Sequence, residues 1–329
     1  MIISSTDNFG TITSESDLLG RGIKYSDVKG KVTTSTYDNF GKLISRNSIL
    51  GLEEYGYDTF DRPITYKLDG VLYSTTVYDV YSRVVNITYP SGVKLSSIGR
   101  DVLQRENATT FTVAGSVTLS DSVNYSQSGM VMSGTENGVA KSYVYDRVRR
   151  LTGATLGTNT FAYEFGTPDV SCGSLVGNNV NASKDSNRTR LTVNGVSTSY
   201  CYDQADRLIK SSDSSIDVPS YDDRGNTISL GNASQKTTFV YDVNDRNVSI
   251  SESLAAYTGS NTTASVKANS VSYVRDVSNR VVEHTSKTNN ILKEKVSYVF
   301  TGSGDSPDVL LNASGVVIQK YVSLPGGVV

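Results

Sequence analysis

The feature that most constrains this 329-residue chain is a dipeptide that returns at a nearly fixed interval. Tyr-Asp occurs at Tyr37-Asp38, Tyr57-Asp58, Tyr78-Asp79, Tyr145-Asp146, Tyr202-Asp203, Tyr221-Asp222 and Tyr241-Asp242, with degenerate copies at Arg100-Asp101, Lys184-Asp185 and Arg275-Asp276. Successive aspartates from Asp38 to Asp101 lie 20, 21 and 22 positions apart, and those from Asp203 to Asp242 lie 19 and 20 apart. Where the interval doubles, weak copies are expected at Tyr125-Ser126-Gln127-Ser128-Gly129 and at Tyr163-Glu164-Phe165-Gly166. A period of this length is one supersecondary unit repeated, so each segment must be read as part of an array rather than by itself.

The residues after each dipeptide are patterned too: Asn39-Phe40-Gly41-Lys42-Leu43, Thr59-Phe60-Asp61-Arg62, Val80-Tyr81-Ser82-Arg83-Val84, Gln204-Ala205-Asp206-Arg207-Leu208 and Val243-Asn244-Asp245-Arg246. An Asp carboxylate can accept backbone N–H bonds across a turn, and Gly, Asp or Asn tolerates positive φ a few residues on. A second kind of turn falls about halfway round the unit, at Asp69-Gly70, Asn137-Gly138 and Asn194-Gly195, the dipeptides suited to two-residue hairpins. Between turns, runs such as Val71-Leu72-Tyr73-Ser74-Thr75-Thr76-Val77 are β-rich and partly alternating. Two strands and two turns per unit make one hairpin. Hairpins joined end to end predict an all-β fold, a continuous antiparallel strip that strand twist coils into a spiral. A single repeat region over 1–329 is expected, interrupted by an irregular segment at 163–185 and a long loop at 251–270, where Asp242 and Asp276 are 34 residues apart. Thr6-Asp7-Asn8-Phe9-Gly10 already reads as a repeat, and no sealing repeat is evident at either end, so the chain reads as a piece of a longer wall.

Composition narrows function. One histidine, His284, leaves no multi-histidine metal site and only one possible centre for a Ser-His-Asp triad. With 31 basic and 33 acidic residues the formal charge is -2, which lacks the field that gathers a phosphate backbone. No apolar run reaches the ~18 residues of a membrane span, and Met1-Ile2-Ile3-Ser4-Ser5 lacks the basic and apolar regions of a leader. Gly302-Ser303-Gly304 and Gly326-Gly327 open no helix and match no phosphate loop, so they read as turns. Asn-x-Ser/Thr triplets at Asn107 and Asn232 arise readily in so Ser/Thr-rich a chain.

The Tyr-Asp-x-x-Gly-Arg-Leu pattern, in period over nearly the whole chain, resembles the YD repeat of the RHS family: bacterial Rhs proteins, the shells of insecticidal toxin complexes and animal teneurins. The stretches 187–208 and Tyr298 to Asp308 with Leu324-Pro325-Gly326-Gly327-Val328 look like bacterial members in particular. The resemblance implies a hollow, shell-like β-structure that, in toxin-bearing members, encloses a C-terminal toxic or effector domain. It also implies a secreted or cell-surface location, and as partners the rest of the same polypeptide and cell-surface glycans. The family's self-cleaving core carries aspartates in an Asp-Pro context. Neither Pro168-Asp169 nor Pro307-Asp308 has that order, so no protease residues are carried over and neither an enzyme nor a cofactor is expected.

Single residues have two readings each. The motif tyrosines suit sugar stacking, but recurrence beside turns favours packing between hairpins. Arg62, Arg83, Arg207 and Arg246 suit an anionic ligand, but a nearby Asp or turn carbonyl is the nearer partner. Cys172 and Cys201, an even count in a chain of exported type, form a candidate disulfide tethering the irregular segment, with free buried thiols as the alternative. His284 reads as a solvent-facing strand residue rather than a general base. The functional expectation is a non-catalytic segment of a repeat shell; the alternative is an adhesion or carbohydrate-binding module, teneurin-like in role.

Overall fold

In the computed structural model the described residues are 1–90, 92–113, 116–232, 234–254 and 267–327. Among them, strands alternate with turns from Ile2 to Lys320, and the only helical segments are two 3-10 turns, Val170–Cys172 and Ala182–Asp185. The chain groups into two units, one of Met1–Asp121, Tyr273–Thr285 and Glu294–Val329, the other of Ser122–Ser272 and Ser286–Lys293.

In the first unit the strands run as a meander. Gly10–Ser16, Gly22–Ser26, Val32–Tyr37, Leu43–Ser48, Gly51–Tyr57, Pro63–Leu68, Val71–Tyr78 and Val84–Thr88 each pair antiparallel with the next. The ladder continues through Val93–Arg100 to Glu106–Val113. Consecutive pairing results from short turns, which leave a strand no neighbour but its own predecessor and successor. One face of this strip is covered. Leu50, Tyr66 and Leu68 form a buried cluster with Val299, Val309 and Leu311, flanked by Tyr55, Tyr73, Val322 and Leu324. Leu324 also packs on a second cluster of Ile87, Tyr89 and Leu95, and the Tyr89 hydroxyl donates to the Pro325 carbonyl at 2.6 Å. Gly326 lies so close that an added Cβ would sit 2.8 Å from that hydroxyl and 3.0 Å from Ile87, with φ of +83° as well, so only glycine fits. Beneath the first cluster, Glu53 is buried but fully engaged: Arg46 grips it through two nitrogens at 2.5 and 2.7 Å, and Tyr55 and Tyr66 donate to it.

In the second unit, Val131–Glu136, Val139–Tyr145, Leu151–Leu156, Asn159–Glu164, Arg190–Val193, Val196–Tyr202 and Leu208–Ser211 pair in succession. Ser220–Tyr221, Thr227–Gly231, Gln235–Tyr241 and Asn247–Leu254 form a further ladder.

Several sequence expectations are corrected. The long loop assigned to 251–270 is strand at both ends: Ser251 pairs with Ser270 and Leu254 with Lys267, and the remaining residues 255–266 lie outside the described residues. The strand ends carry polar residues on both faces, so no apolar alternation marks them. Tyr163-Glu164-Phe165-Gly166 makes no repeat turn, because Glu164 ends a strand and the chain then runs through both 3-10 turns before resuming at Arg190. Lys184-Asp185 likewise lies in the second 3-10 turn. Thr6 to Gly10 is a tight hairpin, Asp7 pairing with Gly10, not the longer motif turn. His284 does not face solvent. It comes after buried Val282 on the same side of its strand, and its imidazole meets the Tyr298 hydroxyl at 2.8 Å and Glu294 at 3.4 Å.

Candidate functional site: the repeated turn

Asp58 shows how the motif works. Its backbone N–H donates to the Arg62 carbonyl at 3.0 Å, and the Asp61 N–H donates back to the Asp58 carbonyl at 3.1 Å. Its carboxylate Oδ1 accepts from the Phe60 and Arg62 N–H groups, at 2.9 and 3.0 Å, and Oδ2 accepts from Arg62 Nε at 2.7 Å. The third residue after the aspartate sits in the left-handed region, with φ of 62° at Asp61, which is why Gly, Asp, Asn or Ser recurs there. The strand register then slips by one residue, Gly56 pairing with Thr65 but Tyr57 with Pro63. Turn plus bulge is a three-residue hairpin connection that bends the strand and sharpens its twist.

The same pattern is built at Asp38, Asp79, Asp101, Asp146, Asp203, Asp242 and Asp276, each aspartate accepting from the N–H two and four residues on. Position four supplies Arg83, Arg105, Arg150, Arg207, Arg246 and Arg280, each donating from Nε to its own aspartate. At Asp222 the partner is Asn226, through its amide. The register slip recurs at Tyr37, Tyr78, Tyr145, Tyr202, Tyr221 and Tyr241.

The tyrosine and the basic residue tie one turn to the next. Tyr57 donates its hydroxyl to the Leu43 carbonyl at 2.8 Å, and Tyr78 to Pro63, Tyr145 to Val131, Tyr202 to Arg188 and Tyr221 to Leu208. The acceptor is the first strand residue beyond the preceding turn, except for Arg188, which lies two residues before the strand Arg190–Val193. The cation of that preceding turn lies over the ring: Arg21 on Tyr37 at 4.9 Å, Lys42 on Tyr57 at 5.5 Å, Arg62 on Tyr78 at 4.7 Å and Arg207 on Tyr221 at 5.3 Å. Arg62 Nη1 reaches further, to the Asp79 carbonyl at 3.1 Å. Each motif is therefore a staple across two hairpins.

These contacts set the charges. Loss of water around Asp58 would raise its carboxyl, but the Arg62 guanidinium and the N–H groups of Arg62 and Phe60 outweigh it and hold the group below the usual carboxylate range. Asp38, Asp101, Asp146, Asp203 and Asp242 are lowered in the same way. At Asp79 the Arg83 backbone N–H is the largest influence, and at Asp222 the Asn226 side chain. Asp27 goes the other way: it is 2% exposed, its Oδ2 has no hydrogen-bond partner, and burial pushes its carboxyl up despite the Lys29 and Lys31 N–H groups.

Sequence reasoning missed copies that lack the tyrosine. Asp17 with Gly20 and Arg21, and Asp27 with Gly30 and Lys31, build the same turn; Asn312 to Val316 builds it with the Asn312 amide oxygen accepting from the Ser314 and Val316 N–H groups, and Tyr89 to Val93 builds its backbone alone. Asp-x-x-Gly-(Arg/Lys), searched without the tyrosine, finds the first two. The halfway hairpins carry positive φ at both central residues: 51° and 78° at Asp69-Gly70, 49° and 80° at Asn137-Gly138, 50° and 85° at Asn194-Gly195. Cys172 and Cys201 are joined by a disulfide, both buried, beside an Asn179 N–H that donates to the Tyr202 carbonyl at 2.7 Å. Among the described residues no group of His, Cys, Asp and Glu is arranged to hold a metal ion.

No protein-family model and no curated protein sequence matches this chain. Solved structures are similar to it. The crystal structure of TcdB2-TccC3-TEV is 13% identical with a TM-score of 0.49, over 98% of this chain and 20% of that one. TcdB2-TccC3 without its hypervariable C-terminal region is 14% identical, TM-score 0.47, over 92% and 20%. A Tc holotoxin pore of Photorhabdus luminescens is 11% identical, TM-score 0.41, over 97% and 24%. The chain thus spans a fifth to a quarter of the length of those chains.

Proposed function

We propose that this chain is a non-catalytic wall segment of an RHS repeat protein, part of a β-shell that encloses or presents a C-terminal toxin or effector domain in a secreted or surface-displayed polypeptide. The observation that carries the reading is the staple itself. The aspartate spends its carboxylate on the N–H groups and cation of its own turn, and the tyrosine hydroxyl, with the ring face at Tyr37, Tyr57, Tyr78 and Tyr221, is spent on the preceding one. Residues committed in this way stiffen a wall and leave little for a substrate. The pattern that carries the RHS resemblance, Tyr-Asp-x-x-Gly-Arg, is the same set of residues that forms the staple, so the motif recurs for a mechanical reason.

The glycan-binding reading finds no supporting observation, since the faces of Tyr37, Tyr57, Tyr78 and Tyr221 already carry cations. The test is the genomic sequence on both sides of the codons for Met1 and Val329. Further repeats leading into an unrelated C-terminal domain is the expected result. Repeats ending in a wall-attachment or membrane-anchor signal, with no enclosed domain, would overturn it in favour of adhesion.

A further inference from the structure

Five motif turns of the first unit, at Asp17, Asp38, Asp58, Asp79 and Asp101, lie on one edge of its strip, two strands separating each from the next, while the Asp27 turn lies on the opposite edge. The turns at Asp17, Asp38, Asp58, Asp79 and Asp101 therefore stand in a row, stepping about 10 Å at a time and spanning roughly 40 Å at ordinary strand spacing. The two residues after each aspartate point from the tip of the turn. The first tip carries Leu18 and Leu19, the last Val102 and Leu103, and between them stand Phe40, Phe60 and the pair Val80-Tyr81. These apolar side chains are between 62% and 104% exposed. Charge does not explain the exposure away: each aspartate is paired within its own turn to a basic residue, and the extra carboxylate, Asp61, is bonded to Lys42 at 2.5 Å.

The aromatic tips are also held. Lys42 lies over Phe40 at 5.5 Å, Arg62 over Phe60 at 5.2 Å and Arg83 over Tyr81 at 4.8 Å, each cation belonging to the same turn as its ring. A ring that is solvent-exposed yet already oriented loses little freedom when it is covered.

We propose that this row of tips is an association edge whose occupant is a second copy of the chain, the two edges meeting antiparallel about a two-fold axis through the Asp58 turn. Pitch selects the occupant. An irregular surface meets one or two tips, whereas five tips at a two-strand interval are matched along their length by another strip edge, whose turns repeat at the same interval. The two-fold places the Leu18-Leu19 tip of one copy beside the Val102-Leu103 tip of the other, and Phe40 beside Val80-Tyr81. Area agrees: eight largely exposed apolar side chains present on the order of 1,000 Å² per copy, against the ~800 Å² per partner of a stable pair. Near-neutral turns let two such edges approach without net repulsion. The inference stands on this edge alone and does not depend on the wall reading.

The test is sedimentation velocity of the intact chain over about 1 to 200 μM, a range that brackets weak pairs of this size. A concentration-dependent monomer–dimer equilibrium is expected. Phe40→Ser combined with Phe60→Ser weakens it roughly a hundredfold, since aromatic anchors at the centre of an interface carry most of its affinity. Leu19→Glu with Val102→Glu does so independently, by opposing like charges across the two-fold. Val71→Ser, beside the Asp69-Gly70 hairpin on the opposite edge, leaves the equilibrium unchanged. A monomer at every concentration overturns the proposal. So does a dimer indifferent to both tip variants while their melting curves match the parent, and so does binding to phosphatidylcholine vesicles without self-association, which would make lipid the occupant.

Discussion

Replacing Arg280 by alanine removes a copy of the staple that is wholly buried, the one such copy among the described residues. Its side chain is 2% exposed and that of Asp276 is 0%, compared with 21% and 18% for the equivalent Arg62 and Asp58. Arg280 donates to Asp276 Oδ2 at 2.8 Å, to the Gly302 and Gly304 carbonyls at 2.8 and 3.2 Å and to the Tyr25 hydroxyl at 2.7 Å, and it lies 4.2 Å from the centre of the Phe300 ring. Alanine leaves Asp276 buried beside an emptied site, and breaking a buried pair in this way costs about 3–5 kcal/mol. Arg62→Ala, in a water-washed turn, costs about 1 kcal/mol or less, the range of exposed pairs. Converting Arg280 to methionine together with Asp276→Asn removes both charges and keeps most of the volume, so it should recover much of the loss. Urea denaturation of the intact chain, combined with hydrogen exchange in the strand Val281–Thr288, separates this region from the rest. A loss below about 1 kcal/mol for Arg280→Ala, or a double variant as unstable as the single, would refute the argument that burial makes this copy different.

The same contacts set other outcomes. Gly195→Val destabilises its hairpin by about 1–2 kcal/mol; no atom outside its chain neighbours lies within 4 Å of the added Cβ, so the cost is backbone strain at φ +85°, Gly195→Asn is tolerated, and an unchanged midpoint for valine would contradict the strain. The turn carboxyls are lowered in the folded state, so their stabilisation is complete above the ordinary Asp value of about 3.9 and is lost as pH falls through the folded values; a denaturation midpoint independent of pH between about 5 and 2 would contradict this. Asp27 has the opposite sign, its folded value being raised, so Asp27→Asn increases the midpoint at pH 7 and has less effect near pH 4, which paired melts at the two pH values will read. Reducing Cys172–Cys201, which closes a separation of 29 residues, costs about 3–4 kcal/mol by chain entropy, seen as earlier proteolysis of the segment between Phe165 and Arg190 in reductant.

The turn chemistry could be read from the chain because it is local. Asp58, Asp61 and Arg62 bond within five residues, the left-handed position demands its residue types, and Asn194-Gly195 admits one hairpin geometry, so period, strand direction and antiparallel class emerge without long-range information. Anchoring the period on Tyr-Asp, with a basic residue before Asp as the variant, hid the Asp17 and Asp27 turns, where Ser precedes the aspartate, and reading Glu164 as a variant aspartate invented a turn, since its side chain is one methylene longer and the third residue on, Thr167, does not adopt the left-handed conformation. What a neighbour two hundred residues away decides was invisible.

Val299, Val309 and Leu324 look like any other strand residues in sequence, yet they cover the face of the first strip at Leu50, Tyr66 and Ile87. Asp276 and Asp58 share a motif, yet one is sealed from water by Tyr25 and Phe300 and the other is not. Period and turn geometry are set by covalent neighbours and the steric limits of φ and ψ, which sequence alone determines. Burial is set by which distant surfaces meet, and that depends on the summed twist and register of many hairpins, which only the tertiary structure decides.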